Sequence, residues 1–204
     1  MLKNLAEMKN YLAALLFAAS PVFCISQNSG LPINISLFNE STAIPFTQFF
    51  TTPVHPGIQI GTEFNYKTKA HSRLFQTVNI SYFYHNNLAQ GAGIHTDLGY
   101  ELRAGFGLSF TGFIGLGYMH TWATNQEYTF VDGQYEKRRD KGNGRVIPSV
   151  GLELGYYITP GDTQSSKIFV RYQGWAEYPY SPGFIPLMTH INLHLGYKFF
   201  IGKN

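Results

Sequence analysis

The sequence has few charged residues and a single cysteine. Asp, Glu, Lys and Arg together make up 13% of its 204 residues, against about 25% in an average soluble domain. Beyond residue 24, no stretch approaches the roughly 20 consecutive apolar residues of a membrane-spanning helix, which excludes a multi-span helical membrane protein. The net charge is only +3 and the cations are scattered or confined to one loop, so the sequence does not indicate a nucleic-acid-binding protein.

Glycine, aromatic and uncharged polar residues take the place of the missing charges. The chain contains 21 glycines, and aromatic residues make up 16% of it. A disordered chain would lack these aromatic residues. The composition therefore predicts a folded chain, and its length suits one domain with a substantial core.

The first 26 residues have the pattern of a secretory signal peptide. Lys3 and Lys9 precede the almost wholly apolar segment 11–23, and the first polar stretch begins at Ser26. A basic head, an apolar run of this length and a small residue at its end are the signature of such a peptide. We expect cleavage after Ser26 and export of the remaining chain.

Two other interpretations of this segment fit less well. An N-terminal membrane anchor would need a longer apolar run. Acylation of Cys24, as in a lipoprotein, is disfavoured by the bulky Phe23 before it. We therefore expect a mature domain of residues 27–204 without a disulfide, and a translation start at Met1 or Met8.

Strict two-residue alternation of apolar and polar residues runs through the rest of the chain. In the segment 57–67, for example, Ile58 and Ile60 alternate with Gln59 and Gly61, as in a strand between two unlike environments. Eight segments have this pattern: 33–37, 57–67, 77–85, 94–103, 108–118, 149–158, 168–173 and 187–199. Eight is the smallest even number of strands in a closed membrane barrel.

The glycines decide which face of these strands points inward. A lipocalin-like soluble barrel has the same alternation, with the polar face outside. Here the polar face carries nine strand glycines, including Gly61 and Gly115, which suit the narrow interior of a small barrel. We therefore predict an all-β fold, an eight-stranded antiparallel up-and-down transmembrane β-barrel with its apolar face toward lipid.

The connections between the strands predict their orientation. The longer connections are the first, third, fifth and seventh, at 39–56, 86–91, 122–144 and 178–186. Membrane barrels have long external loops and short periplasmic turns. Both termini are therefore expected on the periplasmic side.

On these features the mature chain resembles the small outer-membrane barrels of the OmpA and OmpX type. Its last strand ends in the aromatic-rich segment 195–201, although residues 202–204 follow the aromatic residue that the outer-membrane assembly machinery usually recognises. The segments 53–57 and 171–173 are similar to barrels of Bacteroidetes-type bacteria. The resemblance implies a location in the bacterial outer membrane, contact with its lipid and lipopolysaccharide, and assembly by that machinery. A monomer is expected.

Charged residues on the inward face are expected to fill the lumen. Unpaired charges in so narrow a space would cost several kcal/mol each, so they are expected to form a salt-bridge network that plugs the barrel. Glu153 and Arg171, on adjacent strands, are the first pair expected. An ion or proton path is the alternative. The predicted network comprises Glu63, Asp97, Glu101, Arg103, Glu153, Arg171, Glu177 and Lys198.

No metal site, cofactor or catalytic residue is predicted. His190 and His194 share a face but lie about 13 Å apart along a strand, and His95 with Asp97 lacks a third ligand. An enzyme that modifies lipid A is the alternative class. His120, near the external rim, could serve such an enzyme, but the sequence contains no His-x-Ser triplet.

A cationic external loop is the remaining feature. Residues 135–145 hold five cations against two acids, and such side chains at a membrane rim suit lipopolysaccharide phosphates. An ordinary solvated loop is the alternative. The sequence thus favours a structural, adhesive or ligand-binding barrel that acts through external loops, with a lipid A-modifying enzyme or a narrow pore as alternatives. The predicted contact residues are Lys137, Arg138, Arg139, Lys141 and Arg145.

Overall fold

The computed structural model describes residues 30–202, except positions 87, 127, 132, 138–139, 163 and 182–183. The predicted signal peptide and both candidate start sites lie outside the described residues. Within that part of the chain, no helix is long and apolar enough to cross a membrane. The strands are β1 (Leu31–Thr42), β2 (His55–Thr68), β3 (Ser72–Tyr84), β4 (Ala89–Arg103), β5 (Leu108–Ala123), β6 (Tyr128–Val131), β7 (Gln134–Lys137), β8 (Asn143–Tyr157), β9 (Lys167–Glu177) and β10 (Met188–Ile201).

Eight of these strands close into an antiparallel up-and-down barrel, which confirms the predicted fold class. The order around the barrel is β1-β10-β9-β8-β5-β4-β3-β2. Closure occurs between the first and last strands, where Leu31 is opposite Ile201 and Thr42 is opposite His190. The barrel therefore has no free edge among these strands, as a membrane-spanning sheet requires.

The two ends of the barrel differ in their connections. Three turns, at 69–71, 104–107 and 158–166, lie at the end that also holds the chain termini, here called the turn end. The connections 43–54, 85–88, 124–142 and 178–187 lie at the opposite, loop end. The connection 85–88 is as short as the turn 104–107, so the bulk of the loop end comes from its other three connections.

The longest connection contains a hairpin that the alternation pattern did not predict. Among the described residues, strands β6 and β7 pair only with each other. Tyr128, Phe130 and Tyr135 of this hairpin are exposed, and the rings of Phe130 and Tyr135 are 5.1 Å apart. Each strand of the hairpin has only four residues, which is too short to show the alternation of a barrel strand.

Packing explains the glycines of the inward face. A Cβ atom added to Gly57 would overlap the ring of Phe38, and one added to Gly115 would overlap the carboxylate of Asp97. Each of these two glycines thus makes room for a large or charged side chain on an adjacent strand. The outward face instead exposes aliphatic side chains in mid-strand, such as Ile80 (65%) and Ile114 (67%), as expected of a surface that faces acyl chains.

Most tyrosines on the outward face of the barrel are exposed, but Tyr172, in the middle of β9, is buried. Its ring lies 5.3 Å from that of Phe46 and 5.2 Å from that of Phe49, and its hydroxyl donates to the carbonyl of Gln48 at 2.8 Å. The first long connection therefore folds back over the outside of β9. Periodicity within a strand cannot predict this cover, because it comes from a distant loop.

Substitution of Ile114 by arginine should test which face of the barrel meets lipid. Ile114 lies near the middle of β5 and is exposed, so Ile114→Arg should lower the free energy of unfolding by about 2–4 kcal/mol in lipid vesicles. Denaturant titration in vesicles measures this loss. Ile158→Arg, at the turn end, is the matched control and should cost about 1 kcal/mol or less. Equal costs at the two positions would contradict this orientation.

Candidate functional site

The turn-end half of the lumen is filled by charged side chains from six strands. Inward positions of β2, β3, β4, β8, β9 and β10 converge there because the strands alternate in direction. All but Arg103 are at most 5% exposed. This turn-side charge cluster consists of Glu63, Arg73, Glu101, Arg103, Glu153, Lys167, Arg171 and Lys198.

Glu101 accepts the largest number of these contacts. Its carboxylate lies 2.9 Å from Nζ of Lys167 and 3.3 Å from Nη2 of Arg73, and it pairs with Nε of Arg103. The hydroxyl of Tyr157 also donates to it at 2.8 Å. Since Lys167 and Tyr157 belong to strands that do not pair with β4, these bonds span the lumen.

Glu153 and Arg171 are directly opposite each other on β8 and β9 and form an ion pair. The Nε and Nη2 atoms of Arg171 donate to Oε2 of Glu153 at 3.0 and 2.8 Å, and Nζ of Lys167 is 2.6 Å from Oε1. Glu63 pairs with Arg73 and lies 3.3 Å from Nζ of Lys198. Each carboxylate of the cluster therefore contacts at least two cationic groups.

Sequence reasoning missed two members of this cluster. Arg73 lies four residues before Thr77 and Lys167 four residues before Arg171, so both share the inward parity of residues on their own strands. The predicted segments began at 77 and 168. Extension of the alternation toward the turns would have included both residues.

Two of the predicted lumen acids lie farther toward the loop end: Asp97 borders the turn-side charge cluster, and Glu177 is separate from it. Asp97, at mid-height, accepts hydrogen bonds from Asn79 at 3.0 Å and from Ser149 at 3.3 Å, with Arg171 at 4.0 Å. Glu177 lies near the loop end, 3.6 Å from Nε of Arg145. The lumen charges thus form more than one group.

Toward the loop end, the lumen lining changes from charged to aromatic. A cluster of buried apolar side chains occupies this level, and the indole of Trp175 stacks on the imidazole of His190 at 4.2 Å. The indole nitrogen of Trp175 donates to Asn192 at 3.0 Å. The apolar members are Phe38, Phe83, Met119, Ile147 and Trp175.

Beyond this layer, toward the loop end, lie the side chains of Glu40, His55 and His85. All three are of types that bind metal ions in proteins. Each offers a carboxylate oxygen or ring nitrogen, and these atoms lie within 4.8 Å of one another. Glu40 is fully buried, and its Oε1 is 2.7 Å from Nδ1 of His190. The rings of His55 and His85 stack at 3.4 Å. Burial and the neighbouring His55 ring lower the pKa of His85, which favours its neutral form.

The cationic residues of the external loop separate in the structure. Lys137 and Lys141 are exposed to solvent, whereas Arg138 and Arg139 lie outside the described residues. Arg145 belongs to β8 rather than to the loop, and its guanidinium also donates to the carbonyl of Pro179. Its inward parity on β8 explains why it faces Glu177 instead of the membrane surface.

His120 contacts aromatic and backbone groups at the rim. Its Nδ1 is 3.4 Å from the hydroxyl of Tyr118, its Nε2 is 3.2 Å from the carbonyl of Lys141, and its ring lies 4.6 Å from that of Trp122. These contacts include neither a serine nor a carboxylate. They do not assemble the groups that a serine hydrolase uses.

Comparison with solved structures identifies the fold. Neisserial surface protein A is similar at a TM-score of 0.53 and 9% identity, over 86% of this chain and 98% of that one. The chain has the fold of a small outer-membrane β-barrel. The outer-membrane enzyme PagL (TM-score 0.48, 12% identity, 83% and 99% coverage) and Ail of Yersinia pestis (0.42, 16%, 84% and 97%) also match. No protein-family model matches the chain, and no curated protein does.

Neutralisation of Glu101 should destabilise the barrel strongly. Glu101→Gln leaves the buried cations of Lys167 and Arg73 short of a partner, and breaking a buried ion pair in this way typically costs about 3–5 kcal/mol. Denaturant titration in detergent or vesicles measures the change. Glu136→Gln, on the exposed strand β7, should change the free energy of unfolding by less than about 0.5 kcal/mol. Similar stabilities of the two variants would show that the cluster does not support the fold.

Proposed function

We propose that this chain is an outer-membrane β-barrel that does not conduct solutes and that contacts lipopolysaccharide through its loop end. The observation that carries the proposal is the contrast between the two ends. Buried ion pairs cross the lumen at the turn end, whereas aromatic and cationic side chains project from the loop end. A barrel built in this way acts through its outer surface.

Export and membrane insertion complete the proposal. Residues 1–26 act as a signal peptide that is removed after secretion across the inner membrane, and residues 27–204 fold in the outer membrane with the help of the assembly machinery. The exposed aliphatic band around Ile80 and Ile114 supports a lipid environment. The turns and the chain termini then face the periplasm.

The bonds across the lumen support the absence of conduction. Glu101 on β4 is joined across the lumen to Lys167 on β9, and Glu63 on β2 is joined to Lys198 on β10, on the other side of β1. These side chains are almost completely buried, so water does not reach them. Passage of a hydrated ion would require several of these pairs to separate at once, each at a cost of several kcal/mol.

Planar-bilayer recording tests this closure. The purified full-length mature barrel should give no stable conductance steps, because the turn-side charge cluster crosses the lumen. Bilayers with a known porin serve as the positive control for insertion. Reproducible steps from the barrel itself would show that the cluster does not seal it.

The β6–β7 hairpin supports contact with an anionic glycolipid. Lys137 is directly opposite Tyr128 in the hairpin, and Lys141 is exposed in the same connection. Tyr128, Phe130 and Tyr135 are 62–76% exposed. Lysines near an anionic lipid surface contribute about 1 kcal/mol each, and aromatic rings suit the boundary between headgroups and water. The sequence of this connection also contains Arg138 and Arg139. Lipopolysaccharide phosphates are the complementary ligand at this membrane face.

Removal of the two exposed loop lysines should weaken lipopolysaccharide binding. The double variant Lys137→Gln and Lys141→Gln should lose about 30-fold in affinity, measured by titration of labelled lipopolysaccharide onto the detergent-solubilised barrel. The matched control carries Lys67→Gln and Lys69→Gln at the exposed turn end and should bind as the wild type does. Equal binding by all three proteins would contradict a role for this loop.

A further inference from the structure

We propose that Glu40, His55 and His85 form a binding site for one divalent transition-metal ion of the Zn²⁺ type at the loop end of the lumen. The three residues come from β1, from β2 and from the residue directly after β3, which are neighbouring segments of the barrel. Their ligand atoms lie within 4.8 Å of one another. Two imidazole nitrogens and one carboxylate oxygen are a common ligand set for zinc. This inference is independent of lipopolysaccharide binding.

The carboxylate of Glu40 belongs to this site, and one of its two oxygens accepts no hydrogen bond. Its Oε1 is 2.7 Å from Nδ1 of His190, while its Oε2 is buried without a hydrogen-bond partner. A buried, unpartnered carboxylate oxygen is costly, and a bound cation would remove that cost. Trp175 stacks on the ring of His190, so the ring that orients Glu40 is itself held in place.

The hydrogen bond of His55 determines which of its nitrogens is available. Its Nδ1 is 3.1 Å from the backbone carbonyl of Glu40, and a carbonyl can only accept, so Nδ1 carries the hydrogen. The Nε2 lone pair is then free for a metal ion. A ligating histidine that donates its other N–H to a backbone carbonyl is a recurrent feature of metal sites, since it sets the tautomer and the ring orientation.

His85 supplies the third ligand. Its Nδ1 is buried and has no hydrogen-bond partner, and its ring stacks on that of His55. Two imidazoles in face-to-face contact are favourable only when they do not both carry a charge. His85 is also the first residue of the connection 85–88 and is partly exposed, so the site lies close to the surface of the loop end.

Zinc titration of the refolded barrel tests the site. The protein is prepared without a polyhistidine tag and titrated with Zn²⁺ by calorimetry in detergent. The wild type should bind one equivalent, and Glu40→Gln, His55→Gln and His85→Gln should each weaken binding at least about tenfold. His120→Gln, at the same end but outside the site, should bind within about twofold of the wild type. Absence of saturable binding, or an equal loss in His120→Gln, would overturn the proposal.

A second measurement distinguishes a loss of metal binding from misfolding of a variant. The chain has two tryptophans, and Trp122→Phe leaves only Trp175, which stacks on the His190 that contacts Glu40. Addition of Cu²⁺ should quench Trp175 fluorescence in this background. The further substitution Glu40→Gln should abolish the saturable quenching. The variant should still migrate as a folded barrel in electrophoresis without heating. Unchanged quenching in a folded Glu40→Gln variant would show that the ion binds elsewhere.

His190 is a positioning residue in this proposal. His190→Phe removes the hydrogen bond to Glu40 and should weaken Zn²⁺ binding about 10- to 100-fold, whereas His190→Gln, which keeps a donor, should recover most of the affinity. A loss of the same size in both variants would mean that His190 supports the fold rather than the orientation of Glu40.

Discussion

The narrow closed lumen is the constraint on which the rest of this structure depends. Closing eight strands removes the inward side chains from water, and a charge held there is expensive unless a partner reaches it. The barrel meets this constraint with side chains from opposite walls, as when Lys167 on β9 contacts Glu101 on β4. These contacts join strands that share no backbone hydrogen bonds. The same side chains therefore stabilise the barrel and close it.

The loop end meets the same constraint with different chemistry. Its layer of aromatic and aliphatic side chains needs no ionic partner, and Trp175 and His190 stack within it. Above that layer the carboxylate of Glu40 retains an oxygen without a hydrogen bond. Since buried polar groups are almost always partnered, this oxygen supports the proposal that a cation binds at the loop end.

Sequence periodicity predicts contacts within the sheet better than contacts across the lumen. Alternation and strand order place Glu153 beside Arg171 because neighbouring strands bring inward residues side by side. No local pattern relates Glu101 to Lys167, since that contact depends on the diameter and register of the closed barrel. The Glu40–His55 pair is directly opposed between β1 and β2, yet both residues fell within a predicted connection, 39–56, because β1 and β2 extend beyond their apolar alternation. His85 was on the predicted inward face, but its partners were not identified.

The distribution of charge along the lumen determines where a cation can bind. The turn-side charge cluster has five basic groups and three carboxylates, and its carboxylates are already occupied by those bases. A divalent cation there would have to displace an ion pair and approach the remaining basic groups. At the loop end, the carboxylate of Glu40 lies beside the imidazoles of His55, His85 and His190, and the guanidinium of Arg145 pairs with Glu177. The segregation that closes one end of the barrel thus leaves the other end suited to a positive ion.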